Sequence, residues 1–370
     1  MKYYIIAGEA SGDLHGSNLI KAIYAKDTNA QIRCWGGDQM EKAGGILVRH
    51  YKEMAFMGFL EVIANLNTIF KNIKFCKKDI ESYNPDVIIF IDYSGFNLRI
   101  ASWARKNGYR TNYYISPQIW ASREGRIKNI KRDIDAMYVI LPFEKEFYEK
   151  KHNYPVHFVG HPLIDAIDQI AFSPEEEFRN AHSLDSKKPI IALLPGSRKQ
   201  EVQQMLDQML RLIPLFSEYQ FVIAGAPSLD LDFYALFLKN YPVKLIPNKT
   251  YELLSHSYAA LVTSGTATLE TALLKVPQVV CYKGNWISYQ IAKRIITLDY
   301  ISLVNLIMGK EVVKELIQGD LTTKNLKKEL SKILDGPARE AQLKAYQELE
   351  IKLGGKGASE HAAGLIIENV

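Results

Sequence analysis

A chain of 370 residues is long enough for two domains of ordinary size, and 47% hydrophobic with 24% charged residues is the composition of a folded, water-soluble protein. A formal charge of +5 suits anionic small molecules or an anionic membrane surface and is weak support for nucleic acid as a partner. Cys34, Cys76 and Cys281 stand far apart with no C-x-x-C pair, which argues against a zinc site or a disulfide framework and fits a reducing cytoplasm. The opening apolar run, residues 3–7, is too short for a signal peptide, and no run of about 18 apolar residues offers a membrane span.

Residues 3–7 read as the first strand and residues 14–25 as the first helix. Between them lies Gly8-Glu9-Ala10-Ser11-Gly12-Asp13, a glycine-bearing turn where open α/β sheets bind ligands. It is neither G-x-G-x-x-G nor G-x-S-x-G, so neither a dinucleotide nor a hydrolase nucleophile at Ser11 is indicated. Ser11 and Gly12 are candidate substrate contacts. Glu9 and Asp13 are candidates for binding or deprotonating a hydroxyl, and Asp13 reads equally as a helix cap.

After a second strand, residues 31–36, comes a segment from residue 54 to 78. Phe56, Met57, Phe59, Leu60 and Ile63, followed by Ile69, Phe70, Ile73 and Phe75, are joined by Lys71, Lys74, Lys77 and Lys78. This is either an amphipathic element that lies on an anionic membrane or a core helix with a solvated lysine face. Residues 86–91 form a strongly apolar strand that ends in Asp92, a carboxylate at the ligand-facing end of a parallel strand and so a candidate general base, or else a cap for the helix 96–106.

Strands at 110–115, 135–141 and 156–159 follow, with a basic helix bearing Arg123, Arg126, Lys128, Lys131 and Arg132. His152, His157 and His161 lack the spacing of a helical zinc pair. From Gly160 to Lys188 the chain is polar and helical, a domain boundary. The alternation resumes at 189–194, running into Gly196, Ser197 and Arg198, where backbone N–H groups and a guanidinium can meet phosphate. A helix at 200–215 and a strand at 219–224 come next, and Asp230-Leu231-Asp232 reads as a helix start in preference to a metal-binding D-x-D.

Residues 259–262 form a buried strand that turns through Ser264, Gly265 and Thr266 into a helix carrying Glu270. The free N–H groups of such a turn favour a phosphate, and Glu270, one turn later, can accept hydrogen bonds from a ribose diol; an ordinary capped helix gives the same pattern. A strand at 278–282, an apolar loop at 299–308 containing Asn305, and terminal helices complete the chain. The expected architecture is therefore residues 1–160 holding acceptor and base, residues 161–350 holding a sugar nucleotide, and residues 351–370 a C-terminal helix.

These residues also resemble a known family. Ala7-Gly8-Glu9-Ala10-Ser11-Gly12-Asp13, Met57-Gly58-Phe59, Leu194-Pro195-Gly196-Ser197-Arg198 with Glu201-Val202, Ser264-Gly265-Thr266-Ala267 with Leu269-Glu270, and Asp299-Tyr300-Ile301-Ser302-Leu303 with Asn305 are similar to the motifs of the lipid-A-disaccharide synthases, in the same order. The resemblance implies an α/β protein of the GT-B type, two Rossmann-like domains facing a central cleft. It implies inverting transfer of 2,3-diacylglucosamine from UDP to the 6-hydroxyl of 2,3-diacylglucosamine 1-phosphate (lipid X), with release of UDP. It also implies a cytoplasmic enzyme at the inner-membrane surface, with no metal and no cofactor; a homodimer is left open. Asp92 matches the family's I-D-x-P-D-F-N run, but Gly95 stands at its second Asp, and Val304 stands at the Pro of S-L-P-N. The rival readings are a UDP-N-acetylglucosamine 2-epimerase-like GT-B enzyme and a non-catalytic, nucleotide-binding peripheral membrane protein.

Overall fold

Continuous apolar runs such as Val87–Ile91 and Ile190–Leu194, with every residue buried, become central strands of two parallel sheets covered by helices on both faces. The computed structural model describes residues 1–53, 66–227, 229–239, 241–284 and 299–370. These form two units, Met1–Asp168 with Leu353–Val370, and Gln169–Lys352.

The first unit contains β1 (Lys2–Ala7), β2 (Gln31–Gly36), β3 (Ile46–His50), β4 (Val87–Ile91), β5 (Arg110–Tyr114), β6 (Ala136–Val139) and β7 (His157–Phe158). They lie in the order β3-β2-β1-β4-β5-β6-β7, parallel throughout. The helices that matter below are α1 (Ala10–Lys26), α2 (Asp38–Lys42), α3 (Leu66–Tyr83), α4 (Ser94–Lys106) and α5 (Ile127–Asp133). The second unit contains β8 (Ile190–Leu194), β9 (Gln220–Gly225), β10 (Lys244–Pro247), β11 (Ser257–Thr263), β12 (Gln278–Tyr282) and β13 (Lys314–Ile317) in the order β10-β9-β8-β11-β12-β13. Its helices include α6 (Lys199–Leu210), α7 (Thr250–Ser255), α8 (Thr266–Leu273), α9 (Leu303–Met308) and α10 (Pro337–Lys352). Both sheets therefore reverse direction after their third strand in chain order, between β1 and β4 and between β8 and β11.

Polar side chains lock these layers in register. Tyr4 donates its hydroxyl to Asp79 at 2.6 Å and accepts the Trp35 indole N–H at 2.8 Å, while Arg33 makes a two-pronged ion pair with the same carboxylate. This ties α3 to β1 and β2 and sends Ile73, Cys76 and Ile80 into the core. The opposite side of α3 leaves Lys71, Lys74 and Lys78 exposed, with Phe70 61% exposed beside them. In the second unit the Gln278 backbone N–H donates to Gln342 at 2.9 Å, joining α10 to β12.

The last helix, α11 (Ala358–Glu368), packs on α1 of the first unit. Its amphipathic pattern shows that it packs but not on which sheet. Asp165 fixes the return, accepting the backbone N–H groups of Gly357 at 2.7 Å and Ser359 at 3.2 Å. Asp165→Ala is expected to lower stability by roughly 1–2 kcal/mol and to speed proteolytic release of the C-terminal segment; an unchanged melting temperature and cleavage rate would show that the return does not depend on this carboxylate.

Candidate functional site

The two reversal points gather the sequence candidates. At such a point neighbouring strands send their following loops to opposite faces, and a crevice opens at the strands' carboxyl ends. In the first unit the loops after β1 and β4 bring Glu9 and Asp92 together.

Asp92 and Tyr93 both hold left-handed backbone, with φ of 42° and 43°. Two such non-glycine residues in succession are strained, by about 1–3 kcal/mol each, and need outside support. The Asn97 amide, wholly buried in α4, supplies it by donating to the carbonyls of Asp92 at 2.8 Å and Ile91 at 3.2 Å. The Tyr113 hydroxyl donates to the Asp92 carbonyl as well. Gly8 makes room for the turn: a Cβ there would stand 2.3 Å from the Tyr93 ring. Burial, and then the negative charge of Glu9, pushes the Asp92 carboxyl up to about 6. A carboxylate with that value accepts a proton more readily than an ordinary aspartate and is still ionised at neutral pH.

Asp13 does something else. It is 3% exposed, and its two oxygens accept the N–H groups of Gly37 at 2.7 Å, Gln39 at 3.1 Å and Met40 at 3.0 Å. It therefore caps α2, a helix other than its own, as the helix-cap reading of the sequence expects, though not on α1. Ser11 is exposed in the first turn of α1, and Gly12 is buried where α1 lies on β1.

In the second unit the loops after β8 and β11 carry the phosphate-type motifs. Gly196 has φ of 109°, a conformation suited to glycine, and it lets the chain turn tightly into α6. Arg198 is the residue before α6; its side chain is 71% exposed and stands 3.5 Å from Glu201, leaving its guanidinium open to an anion. Ser197 is exposed beside it. Gly265 and Thr266 are exposed at the start of α8, whose first N–H groups have no acceptor within the helix. Glu270 is partly buried; burial raises its carboxyl, and the Tyr251 hydroxyl, which donates to it at 3.1 Å from α7, opposes that rise. Sequence reading missed Tyr251. Its signal was slight, a tyrosine in a short helix far from every motif.

Asn305 is tied into its own loop. It is wholly buried, its amide donating to the Val313 carbonyl and to Glu315 at 2.9 Å each, its oxygen accepting the N–H groups of Val312 at 2.7 Å and Val313 at 3.0 Å. No donor or acceptor is left for a nucleotide. Glu315 also accepts the N–H groups of Ile301 and Ser302, and the Ser264 hydroxyl donates to the Ile301 carbonyl at 2.9 Å. Asn305 and Glu315 thus hold the 299–303 loop against the Ser264 turn.

Phe56, Met57, Phe59, Leu60 and Ile63 lie outside the described residues. Asp230 precedes a helix, Leu231–Leu238. No group of three or more metal-ligating side chains occurs among the described residues, and no described helix is long and apolar enough to cross a membrane.

A family model described as lipid-A-disaccharide synthetase matches residues 3–369. The chain is 41% identical over 370 residues to a lipid-A-disaccharide synthase of Syntrophus aciditrophicus, covering 97% of this chain and 95% of that protein. Against the lipid-A-disaccharide synthase of Geobacter metallireducens it is 38% identical over 371 residues, covering 98% and 96%. Among solved structures it resembles the UDP-GlcNAc 2-epimerase of Neisseria meningitidis bound to UDP-GlcNAc, with a TM-score of 0.71, 14% identity and full coverage of both chains. It also resembles the calicheamicin glycosyltransferase CalG4, with a TM-score of 0.62, 14% identity and coverage of 99% and 98%. At that identity the structural likeness speaks for the two-sheet GT-B fold alone.

Replacing Asn305 by Ala leaves buried N–H groups unpaired and is expected to cost roughly 3 kcal/mol of stability. A residue that merely touched the nucleotide would leave the melting temperature of the free protein unchanged, and thermal denaturation separates the two roles.

Proposed function

Because the chain belongs to the lipid-A-disaccharide synthase family, and is therefore a glycosyltransferase, we propose that its first unit holds the lipid acceptor and the base and its second unit the UDP-sugar. The substrates are UDP-2,3-diacylglucosamine and 2,3-diacylglucosamine 1-phosphate. In the transfer, the acceptor's 6-hydroxyl oxygen attacks the donor's anomeric carbon from the side opposite UDP. The bond between that carbon and the diphosphate oxygen breaks, its electron pair leaves with UDP, and the hydroxyl proton passes to a base.

The observation that carries the role of Asp92 is its position at the β1/β4 reversal together with a carboxyl raised to about 6. Glu9 stays beside it as the charge that helps raise it and as an acceptor for a substrate hydroxyl, with Ser11 and Gly12 at the same edge. Arg198, the Gly196–Ser197 turn and the N–H groups after Ser264 and Gly265 receive the diphosphate, balancing the charge that builds on departing UDP. Glu270, held by Tyr251, receives the ribose hydroxyls. With those donors no divalent metal is needed to neutralise the leaving group, and turnover is expected to survive EDTA.

The acyl chains of both substrates require contact with a bilayer. We assign that contact to residues 54–78, with Phe56, Met57, Phe59, Leu60 and Ile63 entering the lipid and Lys71, Lys74 and Lys78 meeting anionic head groups at the cytoplasmic face of the inner membrane. Each such lysine adds about 1 kcal/mol, weakened by salt. The double variant Phe59→Ser/Leu60→Ser is expected to bind anionic vesicles more weakly than the parent, and equal binding with the fold intact would move the contact elsewhere.

Since a protonated Asp92 cannot accept the hydroxyl proton, kcat/KM should be flat above pH 7 and fall as pH drops through about 6. Asp92→Asn should lower kcat by about 10²–10⁴-fold and abolish that limb; near-parent turnover would shift the role to Glu9. Arg198→Ala should weaken UDP binding by roughly 10- to 100-fold, the loss of a charge-assisted contact. Unaltered UDP affinity in both Arg198→Ala and Glu270→Ala would overturn the donor-site assignment.

A further inference from the structure

The basic segment after β5 builds a feature that the reaction as described does not use. Beside the start of α4, a cavity of about 720 Å³ is lined by Arg99, Arg123, Arg126 and Arg132, with Ser94 and Ser102 between them. Among the described residues no carboxylate lines it. The carboxylates next to these arginines in sequence are already engaged: Glu124 pairs with Lys151 and His152, and Asp133 holds Arg132 in a two-pronged pair at 2.7 and 2.6 Å. Arg99, Arg123 and Arg126 have no ion-pair partner among the described residues.

Their placement is organised. Arg126 is half-buried and donates to the Ser94 hydroxyl at 2.9 Å, while Arg99 donates to the Gly95 carbonyl at 3.1 Å. Arg123 is held at a left-handed φ of 60°. Burial, and then the like charges of Arg123 and Arg99, depress the Arg126 guanidinium. Three cations brought together without an anion repel one another, and a bound anion relieves that repulsion. Three guanidinium forks and two hydroxyls converging on one space match a tetrahedral dianion with several terminal oxygens better than a singly charged diester. Ser94, which lines the cavity, follows Asp92 by two residues, so the cavity adjoins the turn that carries the candidate base.

We propose that the cavity lined by Arg99, Arg123 and Arg126 is the subsite for the phosphate monoester of the lipid acceptor. This rests on the reading of the first unit as the acceptor unit. It adds a selection rule: the enzyme recognises its acceptor by a charge remote from the attacking hydroxyl, and so distinguishes it from the same diacylated sugar lacking phosphate.

The test compares the parent with Arg123→Gln and Arg99→Gln, both surface changes, using acceptor with and without its phosphate at fixed UDP-2,3-diacylglucosamine. For the parent, removing the phosphate should lower kcat/KM by roughly 10- to 100-fold. For either variant the loss should appear in the acceptor KM, with UDP affinity unchanged, and removing the phosphate should then cost little more, because interacting groups give non-additive effects. Equal losses from phosphate removal in parent and variants would overturn the proposal. Binding of glucosamine 1-phosphate and of glucosamine to the same full-length proteins decides the matter without turnover. If the parent shows no transfer yet prefers the phosphorylated sugar in an Arg123-dependent way, the subsite stands and the reaction assignment falls. No preference overturns the subsite whatever the activity. Vesicles of phosphatidylcholine with and without phosphatidylglycerol identify the other source of phosphate: variants that lose vesicle binding while keeping the parent's acceptor KM in detergent would show that the cavity reads membrane head groups, which also overturns the proposal.

Discussion

In each parallel sheet the strand order turns round once, and the chemistry proposed for this protein hangs on those two places. A parallel strand must be followed by a crossover helix, and right-handed crossovers on either side of the first strand go to opposite faces. The loops after β1 and β4, and those after β8 and β11, are therefore sent to opposite faces of their sheet. The constraint is one of backbone topology, not of side chains, and it places helix-start N–H groups and strand-end carboxylates at the crevice. Glu9 and Asp92 occupy one such place; Arg198 and Thr266 occupy the other. The units share a strand order but differ in what they place there, acid in the first and donors in the second.

Four carboxylates show how surroundings sort one functional group into different tasks. Asp13 accepts three backbone N–H groups and serves as a cap. Glu144 is wholly buried, but Ser116, Trp120 and the N–H groups of Ile140 and Leu141 all donate to it, so it binds the β5 and β6 loops together. Glu270 has a single side-chain donor among the described residues, Tyr251. Asp92 has a like-charged neighbour in Glu9 and one backbone donor to its carboxylate, from Tyr93, while the side-chain donors around it, Asn97 and Tyr113, go to its carbonyl. Donors spent on a carboxylate fix structure; a carboxylate left short of donors retains the capacity to take a proton.

The central strands were legible because they are continuous apolar runs, and the one at Gln278–Tyr282 coincides with its sequence reading residue for residue. The edge strands β3, β10 and β13 were not. Each is four or five residues long, carries charged residues such as Arg49, Lys244 or Glu315, and is only partly buried. Their strand character comes from a neighbour already in place, a tertiary cause that periodicity does not register. In α3 the core-helix reading of the apolar and basic residues applies: Ile73, Cys76 and Ile80 enter the core and Lys71, Lys74 and Lys78 are exposed. At the site, the motifs located the loops correctly, yet residue type alone could not separate a side chain that touches ligand from one that holds the loop. Asp13, with three backbone donors, and Asn305, with four hydrogen bonds to its side chain, hold their loops in the structure.

The turn at Asp92 draws these threads together. Left to itself, a strand ending in Ile91-Asp92-Tyr93 would stay extended, since two successive left-handed non-glycine residues are unfavourable. The turn persists because α4 returns the Asn97 amide beneath it and β5 presents the Tyr113 hydroxyl to the same carbonyl. Gly8, on the neighbouring strand's loop, yields the space that the Tyr93 ring then fills. The ring also packs on Phe96 of α4, and burial at this turn is the chief cause that raises the Asp92 carboxyl. The strained backbone, the glycine, the buried amide and the shifted acid are thus one device: packing energy gathered from α4 and β5 holds a carboxylate at a basicity and in a place that local sequence preference would deny it.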